Sequence, residues 1–341
     1  MNIDELNALA RAIVSQQKGI LAADESGPTI KKRFDAISLA STEENRRRYR
    51  EILFTTDGVE QYLGGVILYE ETLRQSSKDG VPFPELLARR SIIPGIKVDK
   101  GTKPLALHPG EKITEGLDGL RERLTEYQQM GAKFAKWRAV IEIDERDIPT
   151  RSGVRANMHA LARYAALCQE LGIVPIVEPE VLMDGAHGIT RCEEVTSRVL
   201  GALFDELDAQ HVAFEGMLLK PNMVIPGMKC PQQANVQQVA DATLRCLRRY
   251  VPAAVPGIVF LSGGQSAEDA TDHLNAMNRT GPHPWQLSFS YGRALQAPVI
   301  ATWQGQENQS GKAQQAFFLR CRLNGLAREG KYERSMEKDA E

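Results

Sequence analysis

Charged side chains occur within segments that otherwise have the composition of buried strands. Most lie in the C-terminal half of their segment, and they are Asp24, Lys97 with Asp99, Lys136 with Arg138, Glu178 with Glu180, Lys220, and Arg293 just after the last segment. A lysine or a carboxylate is seldom buried without a partner, because removing a charge from water is costly. Salt bridges that close the structure could explain any one of these residues, but they explain the whole set much less well. The set therefore indicates a polar cavity in which acids and bases face each other.

Three of these pairs have members two residues apart, which places both side chains on one face of a strand. The pairs are Lys97 with Asp99, Lys136 with Arg138, and Glu178 with Glu180. If these faces point inward, the charges converge on one cavity. A register shifted by one residue would reverse every assignment.

Lys220 could act as a nucleophile. It lies in the segment MLLKPNM, and an apolar position near a second lysine such as Lys136 favours the uncharged form of an amine. A free amine adds to a ketone to form a Schiff base, and the protonated imine then withdraws electrons so that a nearby carbon–carbon bond can break. The reaction also needs a base for a substrate hydroxyl and an acid that expels water. Asp24 and Glu178 are candidates for these roles because both end predicted strands.

Small residues and an arginine follow the last two predicted strands. Ser262, Gly263 and Gly264 occur in LSGGQS, where small side chains allow backbone N–H groups to approach an anion. Arg293 ends the segment SYGR, and its guanidinium suits a phosphate. A second basic cluster, at 31–33, lies where another phosphate could bind, although a solvated helix face is its commoner explanation.

Eight short apolar or β-branched segments alternate with helical patterns. The predicted strands span 19–24, 64–69, 94–99, 134–140, 173–180, 216–224, 257–264 and 286–292. Stretches such as NMHALARYAALCQELG between them have apolar residues at the three- and four-residue spacing of a helix. The alternation predicts an α/β fold, a single-domain (β/α)8 TIM barrel. An open doubly wound sheet is disfavoured because no GxGxxG follows the first strand.

Further helices are predicted outside the repeat. One spans about 3–18, and we expect its apolar stripe to cover one end or side of the barrel. The segment TEENRRRYREILF in the insertion at 25–63 predicts a helix capped by Thr42 or Ser41. The stripe of the first helix consists of Leu6, Leu9, Ile13 and Val14.

The predicted domain organisation is one barrel followed by a tail. Residues 1–330 form the barrel, and its last helix contains KAQQAFFLRCRLNGLARE. Residues 331–341 are predicted to be a mobile polar C-terminal tail.

Composition excludes several classes of protein. The 341 residues carry 42 lysines and arginines against 44 acids, a formal charge of −2, which does not fit a general nucleic-acid binder. No apolar run is long enough for a membrane span, and the first residues do not form a secretory signal. The five cysteines have no CxxC pair and the six histidines no HExxH pair, so we expect no disulfide framework, no metal and a cytoplasmic location.

Several phrases of the sequence resemble the class I, Schiff-base fructose-bisphosphate aldolases. The resemblance runs from GILAADES to GKY near residue 330, and its ordered matches include GGVILYEETL, GIKVDKG, FAKWR, GIVPIVEPE, LLKPNMV, FLSGGQS and FSYGRALQ. It implies reversible cleavage of fructose 1,6-bisphosphate to dihydroxyacetone phosphate and glyceraldehyde 3-phosphate, as in glycolysis and gluconeogenesis. It also implies a homotetramer that needs no metal or other cofactor.

The same resemblance implies a role for each site residue. Lys220 is the Schiff-base lysine, Glu178 the acid/base that acts on the carbinolamine, and Asp24 the group that handles the proton of the C4 hydroxyl. Lys136 and Lys97 hold substrate and tune charge, and we expect Arg138 to act with Lys136. The residues implied at the ketone-side phosphate are Ser262, Gly263, Gly264, Ser290 and Arg293, and those near the other phosphate are Ser26, Thr29 and Arg33.

The chain also departs from the family pattern, and other functions stay open. It has DESGPT where the family commonly has DESTGS, and Pro28 removes a backbone donor. It ends in KDAE rather than in the tyrosine of the animal members, and its nearest tyrosine is Tyr332. The alternatives are the same chemistry on tagatose 1,6-bisphosphate or fructose 1-phosphate, a metal-dependent aldolase, and a non-catalytic interaction protein on this scaffold.

Overall fold

A computed structural model describes residues 2–144 and 148–340. Eight parallel strands form a closed barrel, which confirms the predicted fold, and two further strands form a short antiparallel hairpin. The strands are β1 (Gly19–Ala23), β2 (Leu63–Leu68), β3 (Ile93–Lys97), β4 (Thr102–Pro104), β5 (Lys112–Thr114), β6 (Phe134–Ile141), β7 (Val174–Val181), β8 (Leu218–Leu219), β9 (Gly257–Phe260) and β10 (Gln286–Tyr291). Around the barrel they follow the order β1, β10, β9, β8, β7, β6, β3, β2, and the hairpin is β4 with β5.

Helices connect the strands and cover the outside of the barrel. They are α1 (Ile3–Ile13), α2 (Gly27–Asp35), α3 (Glu43–Phe54), α4 (Glu70–Leu73), α5 (Phe83–Arg89), α6 (Leu120–Gln129), α7 (Arg151–Glu170), α8 (Ile189–Ala209), α9 (Val236–Tyr250), α10 (Ala267–Arg279), α11 (Arg293–Trp303) and α12 (Ser310–Arg328). Thr42 caps α3, as predicted, by accepting a hydrogen bond from the N–H of Asn45. In the described part of the chain, no helix combines the length and apolarity that a membrane span requires.

The sixth barrel strand is much shorter than predicted. The sequence predicts a strand over 216–224, whereas β8 contains only two residues. Pro221 has no N–H and so cannot donate to a ladder. The segment nevertheless stays hydrogen-bonded to both neighbouring strands, because Lys220 N donates to Val177 O at 2.8 Å and Leu261 N donates to Pro221 O at 3.1 Å. The β4–β5 hairpin was not predicted, and β4 is exposed along its whole length.

Helix α1 closes the end of the barrel at which the strands begin. It is shorter than predicted and ends at Ile13, but its apolar stripe packs as expected against residues inside the barrel, among them Ile20 and Phe134. A Cβ on Gly64 would lie 2.0 Å from the carbonyl oxygen of Ile13, so β2 needs a glycine where the helix crosses it. This helix leaves the opposite end of the barrel, where the strands terminate, free of such a cover.

The C-terminal segment contacts the outside of the barrel. Tyr332 is 3% exposed, and its hydroxyl donates to Glu337, which also accepts two hydrogen bonds from Arg320 of α12 at 2.6 and 2.7 Å. Arg334–Ala340 forms a 3₁₀ helix. The sequence predicts only a mobile polar tail. Its mobility stays a prediction, but these contacts were not anticipated.

Candidate active site

A cavity of about 740 Å³ opens at the carboxyl ends of the barrel strands. It brings together thirteen of the fourteen site residues named from the sequence. They are Asp24, Ser26, Thr29, Arg33, Lys97, Lys136, Arg138, Glu178, Lys220, Ser262, Gly263, Ser290 and Arg293. The fourteenth, Gly264, is absent from the cavity lining.

Two lysines and two carboxylates form the centre of the cavity. Glu178 lies between the lysines: its Oε1 is 3.0 Å from Nζ of Lys220, and its Oε2 is 3.0 Å from Nζ of Lys136. Lys136 is also 2.7 Å from Asp24. Lys220, Lys136 and Glu178 are each no more than 4% exposed. The lysine proposed as nucleophile is therefore buried and within proton-transfer distance of a carboxylate.

The charges of this centre set the protonation of its acids. Burial alone would raise the pKa of Asp24 and of Glu178, but the positive charges of Lys136 and Lys220 outweigh it and lower both pKa values. Burial would likewise lower the pKa of Lys136, whereas Asp24 and Glu178 raise it. In the unliganded site both carboxylates are therefore ionised and Lys136 is an ammonium group.

The strands position these groups through alternation and register. Lys136 and Arg138 lie two apart on β6, and Arg138 is level with Glu178 on β7. Lys97, at the end of β3, is level with Lys136. The register of β6 and β7 thus places Arg138 beside Glu178, while the intervening Trp137 points into the apolar core and is fully buried.

A second layer of carboxylates holds the outer bases. Asp99 is 2.9 Å from Nζ of Lys97 and accepts a hydrogen bond from the N–H of Arg138 at 3.3 Å. Glu180 forms an ion pair with the Arg138 side chain. The sequence assigned no role to these two acids, although their two-residue spacing from Lys97 and from Glu178 placed them on the cavity face.

Small residues and an arginine line the wall formed by β9 and β10. Ser290 is 1% exposed, and its hydroxyl has no hydrogen-bond partner among the described residues. Gly264 turns the loop with φ +74°, and a Cβ there would lie 2.1 Å from Met183 Cγ. The glycine is thus required by the turn that presents Ser262 and Gly263 to the cavity.

The loop after β1 forms the adjoining part of the wall, because β1 pairs with β10 in the barrel. Ser26 is the N-cap of α2 without a side-chain capping bond, and its hydroxyl lies 3.2 Å from that of Thr29. Pro28 occupies the first turn of α2, where the missing N–H removes no helical hydrogen bond. Arg33 forms an ion pair with Glu25.

Sequence reasoning missed Glu25 and Arg50. Both are buried, and Arg50 Nη2 donates to Glu25 Oε2 at 2.5 Å. Arg50 lies on the buried face of α3 among Tyr49, Leu53 and Phe54. The helical spacing of Arg50 from Leu53 and Phe54 could have indicated that it is buried. The surrounding run NRRRYRE, however, is typical of a solvated helix surface. In the described part of the chain, no three His, Cys, Asp or Glu side chains cluster as metal ligands.

Fold and cavity together define a class of barrel enzymes. A buried lysine faces a carboxylate, a second carboxylate is held by another lysine, and hydroxyl, glycine and arginine groups suited to phosphate line the rim. These groups are typical of a lyase in which a lysine amine attacks a phosphorylated carbonyl compound.

Comparison with known proteins identifies the family. The profile of the family described as "Fructose-bisphosphate aldolase class-I" matches residues 5–341. A probable fructose-bisphosphate aldolase class 1 of Xylella fastidiosa is 56% identical and covers 97% of this chain and 99% of its own length. Fructose-bisphosphate aldolase C of Rattus norvegicus is 52% identical and covers 97% of this chain and 92% of its own.

A solved structure gives the same result. The fructose-bisphosphate aldolase of Plasmodium falciparum, crystallised with TRAP and a small-molecule inhibitor, superimposes with a TM-score of 0.96 and is 52% identical. The match covers 97% of this chain and 96% of that one. The chain belongs to the class I fructose-bisphosphate aldolase family.

Proposed function

We propose that this class I aldolase reversibly cleaves fructose 1,6-bisphosphate to dihydroxyacetone phosphate and glyceraldehyde 3-phosphate through a Schiff base on Lys220. The observation that carries the proposal is the buried Lys220 Nζ, 3.0 Å from Glu178 Oε1, in a cavity of about 740 Å³. Family membership supports the substrate, and the geometry supports this lysine as the nucleophile.

Glu178 handles the protons of Schiff-base formation. The Lys220 amine adds to C2 of the open-chain sugar, and the ketone becomes a carbinolamine. Glu178 takes a proton that leaves the nitrogen and donates one to the carbinolamine hydroxyl as it departs as water. While Lys220 is uncharged, Glu178 loses one of the three positive charges that lower its pKa, so its proton affinity rises when the mechanism requires it.

Asp24 starts the cleavage step. It removes the proton of the C4 hydroxyl, the C3–C4 bond breaks, and the bonding electrons move into the protonated imine to form an enamine. The aldehyde product leaves, the enamine takes up a proton at C3, and water then hydrolyses the imine to release the ketone product. Lys136, 2.7 Å from Asp24, keeps this carboxylate ionised and ready to act as a base.

The two rims of the cavity hold the two phosphates. Ser262, Gly263, Ser290 and Arg293 supply hydroxyl, backbone and guanidinium donors at the ketone end. Ser26 and Thr29, together with Lys97, serve the aldehyde end. Arg33 belongs to the phosphate-binding set as well.

We further propose that the enzyme works as a homotetramer in the cytoplasm, as the family resemblance implies. Its five cysteines are all free, four of them buried, which suits a reducing compartment. Sedimentation of the purified protein at micromolar concentration should give four times the mass of the 37.8 kDa chain. A monomer would contradict the proposed assembly without affecting the chemistry.

The substrate assignment is tested by comparing kcat/KM among ketose phosphates. We expect fructose 1,6-bisphosphate to exceed both fructose 1-phosphate and tagatose 1,6-bisphosphate, with activity retained in EDTA. Higher kcat/KM for either alternative sugar would reassign the substrate. Loss of activity in EDTA would favour a metal-dependent aldolase, and no turnover at saturating substrate would favour a non-catalytic protein.

A further inference from the structure

Arg33 is held at the cavity wall by a buried carboxylate. Its guanidinium lines the cavity and forms an ion pair with Glu25, whose side chain is only 4% exposed. The Arg33 side chain itself is 23% exposed. One side of the guanidinium is therefore tethered to the protein while the other remains accessible to a ligand.

Glu25 is fixed in turn from the side away from the cavity. Its Oε2 accepts a hydrogen bond from Arg50 of α3 at 2.5 Å, and its Oε1 accepts one from Gln296 of α11 at 2.9 Å. Gln296 also receives hydrogen bonds from Tyr49 at 2.9 Å and from Arg50 at 3.2 Å. Two helices outside the barrel thus fix one carboxylate of the cavity wall.

This cluster has more positive than negative charge. Arg33 and Arg50 share the single carboxylate of Glu25, so the three side chains together carry a charge of +1. Arg50 is 2% exposed, and its charge is screened very little by water. Arg33 brings this unbalanced charge to the cavity, where an anion can neutralise it.

The position of Arg33 indicates which end of the substrate supplies that anion. A Cβ built on Gly292 would lie 3.8 Å from Nη2 of Arg33. Gly292 directly precedes Arg293 and follows shortly after Ser290, both of which line the wall assigned above to the ketone-side phosphate. Arg33 therefore adjoins this wall, although the sequence placed it near the other phosphate.

We propose that Glu25 and Arg50 are positioning residues that hold Arg33 beside Arg293, so that both guanidinium groups bind the ketone-side phosphate. This inference rests on the proposed function and deepens it. Glu25 limits how far Arg33 can turn, and Arg50 keeps Glu25 in place when Arg33 shifts part of its charge to the phosphate. Neither residue touches the reacting carbons.

The test compares two substrates that share the 1-phosphate. Replacing the buried guanidinium in Arg50→Met should raise KM about tenfold for fructose 1,6-bisphosphate and by the same factor for fructose 1-phosphate. kcat should change less than about twofold, because the acids and lysines of the reaction are untouched. Arg47→Met is the matched control: Arg47 lies on the same helix but pairs with Glu44 and Glu51, and its KM should stay at the wild-type value.

A double-mutant cycle separates positioning from a general structural effect. Arg33→Met should raise KM by itself, and adding Arg50→Met to it should change KM less than about twofold further, because Arg50 acts through Arg33. If the Arg50 variant does not fold, Glu25→Gln, which keeps the shape of the side chain, takes its place in the cycle.

Three results would overturn the inference. They are an unchanged KM in the Arg50 variant, a rise for fructose 1,6-bisphosphate alone, and an undiminished effect of Arg50→Met in the Arg33 variant. Borohydride trapping at saturating substrate distinguishes this failure from failure of the proposed function. If the wild-type protein forms an adduct on Lys220 but one of these results is obtained, only the positioning roles fail.

Discussion

In the proposed mechanism, the proton transfers of the site depend on Glu178. It is 4% exposed and contacts both Lys136 and Lys220, so a change in the charge of either lysine changes the pKa of this carboxylate. A general acid with a lowered pKa would donate poorly if the site were static. In the proposed mechanism it donates because formation of the carbinolamine removes one of the positive charges that lower its pKa.

Replacing this carboxyl group should slow the reaction without unfolding the protein. We expect Glu178→Gln to lower kcat by about 10²–10⁴-fold, the usual contribution of a general acid/base, with burst-phase Schiff-base formation slowed to match. Glu193→Gln is the control, because Glu193 pairs with Arg245 on the outer surface and should leave kcat unchanged. A Glu178→Gln enzyme with wild-type kcat would remove Glu178 from the mechanism.

We expect Lys136 to stabilise the folded protein as well as the ionised form of Asp24. It contacts both Asp24 and Glu178, and removing its charge leaves two buried carboxylates with fewer positive partners. We expect Lys136→Met to reduce the free energy of unfolding by about 3–5 kcal/mol at pH 7.5. The loss should shrink as pH falls, because a protonated carboxyl no longer needs the lysine.

Urea unfolding at pH 7.5 and pH 5, with Asp24→Asn/Lys136→Met as the matched control, checks this expectation. The double variant has lost one acid and one base, so it should regain most of the stability. A single variant as stable as the wild type at both pH values would show that the ion pairs of the centre contribute nothing to folding.

At the scale of elements, the sequence predicts the barrel well because each strand is a short apolar segment bounded by turn residues. The prediction from sequence fails where tertiary contacts, rather than the periodicity of apolar residues, determine the structure. β8 is short because Pro221 cannot donate to its neighbour, and the exposed β4 carries no periodic signal. Arg50 was missed because the sequence does not distinguish a buried arginine in a charged helix from its exposed neighbours. Its burial depends on contacts with α11.

The two-residue spacing within β6 and β7, by contrast, located the cavity face correctly.

The close contact between α1 and β2 can be tested by a substitution that adds a single methyl group. A Cβ on Gly64 would lie 2.0 Å from Ile13 O, so Gly64→Ala must displace either the helix or the strand. We expect a loss of about 1–3 kcal/mol in unfolding free energy, measured by thermal or urea denaturation. Gly311→Ala in α12, where nothing lies within 4 Å of the new Cβ, should be neutral or slightly stabilising. Equal stability of the two variants would contradict the close packing of α1.

At the scale of the whole molecule, the barrel separates an apolar end from an ionised end. Helix α1 and the inner side chains fill the end at which the strands begin, while the opposite end gathers the charges and stays open as the cavity. The ionised end makes stability depend on pH. The folded-state pKa values of Asp24, Glu25 and Glu178 all lie below the ordinary values of 3.8 and 4.5.

Stability should therefore fall at acid pH. A lowered folded pKa contributes stability that is present above the pKa of the unfolded chain and is lost as pH falls through the folded pKa. We expect the melting temperature to be nearly constant from pH 7 to pH 5 and to drop steeply below about pH 4. The Asp24→Asn/Lys136→Met variant should show a shallower drop. A melting temperature that stays level from pH 5 to pH 3 would contradict the ionised state of the three carboxyl groups.

The central claim, a nucleophilic amine on Lys220, can be tested directly by trapping. The protein is mixed with fructose 1,6-bisphosphate, reduced with borohydride, digested and analysed by mass spectrometry. We predict one reduced adduct, on the peptide that contains Lys220, with its loss in Lys220→Ala together with a fall in cleavage of at least about 10⁴-fold and a retained fold. An adduct on another lysine, or none in a folded and active enzyme, would contradict the mechanism.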